Sequence, residues 1–114
     1  MPRSESRMVE DLLLDIEEGY LARLGILDAL CFAEKLSPRE IYDGANKKFG
    51  ERAFSNRARL SFEACFWCEL HTAEADGLAE REGRAVKITS AGERVFKKVS
   101  RTFQYKLLTH TLYA

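Results

Sequence analysis

The residues whose types and spacing offer chemistry fall in two places. The first is Cys65-Phe66-Trp67-Cys68-Glu69-Leu70-His71. Cys-x-x-Cys followed three residues later by histidine has the spacing of a metal corner or a redox pair, because thiolate and imidazole are ligands zinc accepts. On one continuous helix Cys65, Cys68 and His71 share a side. A structural zinc site, however, ordinarily closes with a second ligand pair. The remaining soft ligands, Cys31 and His110, are remote in sequence. Core packing, with cysteine behaving as a small apolar residue, is the better reading. Trp67 then reads as a core or dimer anchor, and no metal or cofactor is expected.

The second place is the basic stretch Arg52, Ser55, Asn56, Arg57 and Arg59, opposed only by Glu51. Arginines clustered directly ahead of a long helix are the footprint of a nucleic-acid contact; the alternative is a solvated cluster paired with nearby Glu. The helix that follows, to Asp76, carries Phe62, Phe66, Leu70 and Ala73 at helical spacing, and both Ser55 and Ser61 qualify as its N-cap. A start at Ser55 puts Asn56, Arg57 and Arg59 in the first turn, where recognition helices touch base edges. A start at Ser61 leaves the arginines ahead of the helix and puts Glu63 and Glu69 on its exposed face.

No catalytic set is legible. There is no Gly-x-Ser-x-Gly, no phosphate-cradling glycine loop and no paired carboxylates in a recognisable cleft, so the chain is not expected to be an enzyme. The 114 residues suit one domain, and 46% hydrophobic content can form a core without disulfides. Three cysteines, an acidic start and the lack of a long apolar run point to a cytoplasmic protein without a membrane partner. The formal net charge of zero conceals an asymmetry. Residues 1–46 hold five Lys/Arg against ten Asp/Glu, and residues 47–114 hold thirteen against eight. Any polyanion site is therefore local.

The elements that position these residues can be read in order. Val9, Leu12, Leu13 and Ile16 predict a helix from Met8 to about Glu18, an arm over residues 1–18 available for dimer contacts. Gly19 weakens but need not end it. Tyr20 to Glu34 predicts a more apolar helix, including Phe32. Ser37-Pro38-Arg39-Glu40 combines an N-cap, a proline at the first helical position and a capping box. That helix turns Ile41, Tyr42 and Ala45 inward and ends near Phe49-Gly50. Arg39, Lys47 and Lys48 lie near its ends, where a supporting helix crosses a phosphate backbone. Gly77 is suited to a helix stop, and Glu82-Gly83-Arg84 to a hairpin turn. Val86 and Ile88 alternate with Lys87, and Thr89 and Ser90 are both candidate N-caps. Ser90 to Leu112 predicts one helix of about 34 Å, longer than one small core covers. Val95, Val99, Phe103, Leu107 and Leu108 lie on its apolar face, expected to meet a second copy of the chain; the alternative is a helix folded back across its own core.

The run Gly77-Leu78, a charged strand, the Gly83-Arg84 turn, Ile88-Thr89-x-x-Gly92 and an amphipathic helix resembles the wing of winged helix-turn-helix proteins, in particular MarR-like and PadR-like regulators. Ala79 departs from the bulky residue usual in that pattern. The resemblance implies a mainly α fold with a small β-hairpin, a winged core over 20–89 and a dimerisation helix over 90–114. It further implies a homodimer binding double-stranded DNA as a transcriptional regulator. Residues 55–60 would enter the major groove, Arg39, Lys47, Lys48 and Arg84 would position phosphates, and Arg52 and Lys87 are further candidate contacts. Two competing expectations remain: a protein-interaction module using the acidic long helix and its aromatics, and a thiol- or metal-responsive regulator using Cys65, Cys68 and His71.

Overall fold

A computed structural model describes residues 4–51 and 61–113, with side chains through His110. The elements run α1 (Glu5–Glu18), α2 (Ala22–Cys31), α3 (Pro38–Ala45), a π-turn (Asn46–Gly50), α4 (Phe62–Ala75), β1 (Ala79–Glu82), β2 (Ala85–Ile88), α5 (Ser90–Ser100) and α6 (Phe103–Tyr113). The protein is mainly helical with one antiparallel hairpin. No helix among the described residues is long and apolar enough to cross a membrane.

Helix α2 organises the rest. Eight of its ten residues are buried, so it has no solvent face and serves two cores. Leu24 and Leu27 pack with Met8 and Leu12 of α1 and with Val95 and Val99 of α5. Ile26 and Leu30 pack with Ile41 and Ala45 of α3, Phe66 and Leu70 of α4, and Val86 of β2. Ile88 touches both groups. Burying a Leu or Phe of this kind removes enough apolar surface from water to contribute roughly 1.5–3 kcal/mol.

Local signals set the element ends. Ser37 accepts a hydrogen bond from the Glu40 amide at 3.2 Å while Glu40 Oε1 accepts one from the Ser37 amide at 3.0 Å, completing the capping box. Ser61 accepts from the Ala64 amide at 3.2 Å and starts α4. The hairpin turns at Gly83, which has φ +64°, and pairs Ala79 with Ile88 and Glu82 with Ala85. A single bridge adds Leu36 to its other side: Leu36 and Val86 exchange both backbone bonds, at 3.0 and 2.7 Å. Thr89, rather than Ser90, caps α5, accepting from the Gly92 amide and donating to the Gly77 carbonyl at 2.6 Å. The glycine of Thr-x-x-Gly follows from this geometry, because a Cβ at Gly92 would collide with the Leu78 carbonyl oxygen.

Four expectations need correction. Gly19 does end α1: it takes φ +75°, and its amide bonds back to Asp15 and Ile16. Helix α1 is not an added arm, since Met8 and Leu12 lie in the core at 3% and 0% exposure. The stretch 90–112 is not one helix. Thr102 breaks it, its amide and hydroxyl both bonding the Val99 carbonyl and its Oγ1 accepting from the Tyr105 amide. Local side-chain bonds of this kind compete with helix continuation. The chain turns there, and Val95 and Val99, ahead of the break, are buried completely against α1 and α2 of their own chain. Leu108 packs on the same core. Phe32, placed in the apolar run of α2, is instead 77% exposed beyond its end.

Candidate nucleic-acid interface

The surface expected to meet DNA is built from the ends of α3, the π-turn, α4 and the hairpin. The segment holding Arg52, Ser55, Asn56, Arg57 and Arg59 lies outside the described residues. What the structure describes is the helix that follows it. Ser61 caps that helix, so Phe62 is its first residue.

The described cations nominated for phosphate contact are differently placed. Lys48 is turned inward, its Nζ donating to both carboxylate oxygens of buried Asp28 at 3.0 and 2.9 Å; it is a structural cation, not a surface contact. Lys87 lies between Glu80 at 3.1 Å and Glu82 at 3.3 Å. Those partners, Glu80 first, raise its pKa, while Glu82 is held below the usual carboxylate range by Lys35 and then Lys87. Arg39 is well exposed, 3.5 Å from Asp43 and 5.2 Å above the Tyr42 ring. Lys47 and Arg84 are exposed, and neither forms an ion pair with a described residue. Of the five, Lys47 and Arg84 present full charge to solvent, and Arg39 does so in part.

The outer face of α4 presents Glu63, Trp67, Cys68 and His71. Trp67 is 38% exposed and stacks on Tyr42, ring centroids 5.9 Å apart and planes 18° from parallel. Glu69, expected on this exposed face, faces inward instead. It accepts from Tyr20 Oη at 2.9 Å and from Arg23 Nε at 2.7 Å, and Arg23 also lies 3.8 Å from Asp76. Burial, then Glu69, pushes the Tyr20 hydroxyl pKa up. Charged groups so far from water persist only when partnered. The cluster therefore fixes the roll of α4 against the α1–α2 junction.

Cys65, Cys68 and His71 do not converge. Cys65 is buried at 6%, whereas Cys68 and His71 face solvent, and among the described residues no group of three His, Cys, Asp or Glu could hold a metal ion. Cys31 is half-buried, and that burial, with Asp28 and Glu93 nearby, pushes its thiol pKa up to about 11, away from reactivity.

Sequence reasoning missed two ionic clusters, Tyr20–Arg23–Glu69–Asp76 and Asp28–Lys48–Tyr105. Their trace was present: Arg23 and Asp28 interrupt an otherwise apolar helix, and a helix buried all round must partner any charge it carries.

On α6, Phe103 and Leu107 remain exposed at 74% and 53%, and they line an open cleft of about 740 Å³ with Lys48, Tyr105 and His110. Of the five residues expected at a dimer contact, these two remain available. Compared with protein-family models, curated proteins and solved structures, the chain matches none.

Proposed function

We propose that the chain is a winged-helix domain that binds double-stranded DNA as a homodimer and serves as a transcriptional regulator. The observation that carries this reading is the order and pairing of the central elements. A helix (α2), a one-residue strand at Leu36, two further helices (α3, α4) and a hairpin follow in sequence, and β2 lies between Leu36 and β1. That order supports the likeness to winged helices, whose third helix and hairpin face DNA.

The charge distribution refines the proposal. The α3–α4 connection, from Asn46 to Ser61, holds Lys47, Arg52, Arg57 and Arg59, whereas the outer face of α4 offers no Lys or Arg. Contacts would then come from this connection and from Arg84 at the hairpin tip, with Arg39 beside them, rather than from the length of α4. Phe103 and Leu107 are the apolar side chains a second copy would cover, since exposed apolar patches of this kind mark contact sites.

The test is anisotropy of a labelled random duplex titrated across salt. Micromolar affinity that weakens steeply with salt supports the reading, and the slope counts phosphate contacts at roughly 0.9 per contact. Arg57→Ala/Arg59→Ala should weaken binding and leave the oligomeric state unchanged. No binding at low salt would overturn the proposal.

One observation favours a second reading, a protein-interaction module: α4 exposes Trp67 beside Glu63, Cys68 and His71. Exposed tryptophans are typical anchors of protein contacts, and acidic groups repel phosphate. Under this reading Trp67→Ala abolishes partner binding, and salt-dependent DNA affinity is not observed.

A further inference from the structure

The cluster around Asp28 joins three elements that are distant in sequence. Asp28 lies in the middle of α2 with 5% of its surface exposed. Lys48, from the π-turn, donates to both of its oxygens, and Tyr105 Oη, from α6, donates to Oδ2 at 2.8 Å. A buried carboxylate needs all such donors, and losing one weakens the hold of the others.

Each flanking element supplies one donor to the cluster. The π-turn is the wide i→i+5 form, uncommon except as a local insertion and frequently functional. It brings two consecutive side chains inward: Phe49, fully buried, and Lys48, whose Nζ lies 5.5 Å from the Phe49 ring and 5.8 Å from that of Phe32. Successive residues diverge less in angle around this wider turn than around an α-helix, so relaxation to α geometry would swing Lys48 away from Asp28. Helix α6 is held lightly, since none of its residues from Phe103 to His110 is buried. Among its anchors are Leu108, the edge-to-face contact of Tyr105 with Phe96 at 5.7 Å, and the Tyr105–Asp28 bond.

We infer that Asp28, Lys48 and Tyr105 form a latch through which the docking of α6 sets the geometry of the π-turn. The π-turn opens the connection between α3 and α4, and α6 presents Phe103 and Leu107 to whatever covers them. The position of α6, with the outer face it carries, and the conformation of the π-turn at Asn46–Gly50 are thereby linked. The latch is intrinsic to one chain and stands whether or not the DNA reading does. If a second copy covers α6, dimerisation and the proposed DNA contact share this coupling.

Linkage of this kind is reciprocal, and reciprocity is the test. Tyr105→Phe retains the ring against Phe96 and removes the hydroxyl alone. Lys48→Met retains the apolar stem and removes the charge. Peptide-resolved hydrogen exchange of the full chain should show Tyr105→Phe raising exchange of the 46–50 amides by about tenfold or more, the lower end of what one hydrogen bond to a charged group is worth. Lys48→Met should raise exchange of the α6 amides to a similar extent. Gln104→Ala, which alters α6 outside both the cluster and the exposed apolar pair, should leave residues 46–50 unchanged. If Tyr105→Phe loosens α6 alone and Lys48→Met loosens the π-turn alone, the elements are not coupled and the inference is wrong.

Discussion

Replacing Glu69 with alanine tests whether α4 is oriented by charge. Glu69 keeps 14% of its side-chain surface and Arg23 9%, so their 2.7 Å contact is largely shielded from solvent screening. Breaking a buried pair from one side costs about 3–5 kcal/mol, because the remaining charge is stranded. Asp76, 3.8 Å from Arg23, relieves part of that, while the Tyr20 hydroxyl loses an acceptor worth about 1 kcal/mol. The net expectation is a loss of about 3 kcal/mol for Glu69→Ala. For a chain of 114 residues this lowers Tm by about 12 °C on the usual unfolding entropy per residue. Urea and thermal unfolding followed by circular dichroism give both figures. The double variant Arg23→Met/Glu69→Leu removes the pair without stranding either charge and should recover most of the loss. A loss below about 1 kcal/mol for Glu69→Ala, or a double variant as unstable as the single, would refute the argument.

Three further outcomes are expected. Leu12→Ala should cost about 3 kcal/mol in urea unfolding, whereas Leu14→Ala, at a position 48% exposed, should change stability by less than about 0.5 kcal/mol; equal effects would return α1 to the status of an arm. Gly92→Ala should lower Tm by more than Gly44→Ala, because its methyl would meet the Leu78 carbonyl while that of Gly44 would have only ordinary contact with Ala29. Glu40 is held below its ordinary value of 4.5 by the Ser37 amide and hydroxyl. Its contribution is therefore complete above that value and disappears as pH falls through its depressed folded value. In Glu40→Gln the acid limb of a stability–pH curve should be shallower, and an unchanged limb would remove the capping box from the account.

What the sequence disclosed depended on range. The Ser37 capping box, the Gly83 turn and the inward set Phe66, Leu70 and Ala73 were readable because each is decided within four residues or by one helical period. Ser55 and Ser61 were equally good caps on paper; the structure describes the cap at Ser61. The apolar spacing of Val95 and Val99 correctly identified a buried face but could not identify what buries it, because a partner chain and α1 present the same hydrophobicity. The break at Thr102 was hidden for a related reason: threonine is tolerated within helices, and its hydroxyl terminates one only where the chain beyond gains by turning. The candidate site was least legible. The numbers of Lys and Arg were visible, but which had been neutralised by Asp28, Glu80 or Glu82 depends on pairs five to twenty residues apart.

The encasement of α2 sets how this sequence can vary. An amphipathic helix such as α5 should accept exchanges at every outward position, so a saturation scan would trace it as a ripple of period 3.6. Across residues 22–31 the ripple should vanish into a nearly unbroken band of intolerance, relieved chiefly at half-exposed Ala29. Arg23 and Asp28 should be as immovable within that band as the leucines beside them, since each is the centre of a cluster that no neighbouring substitution can rebuild.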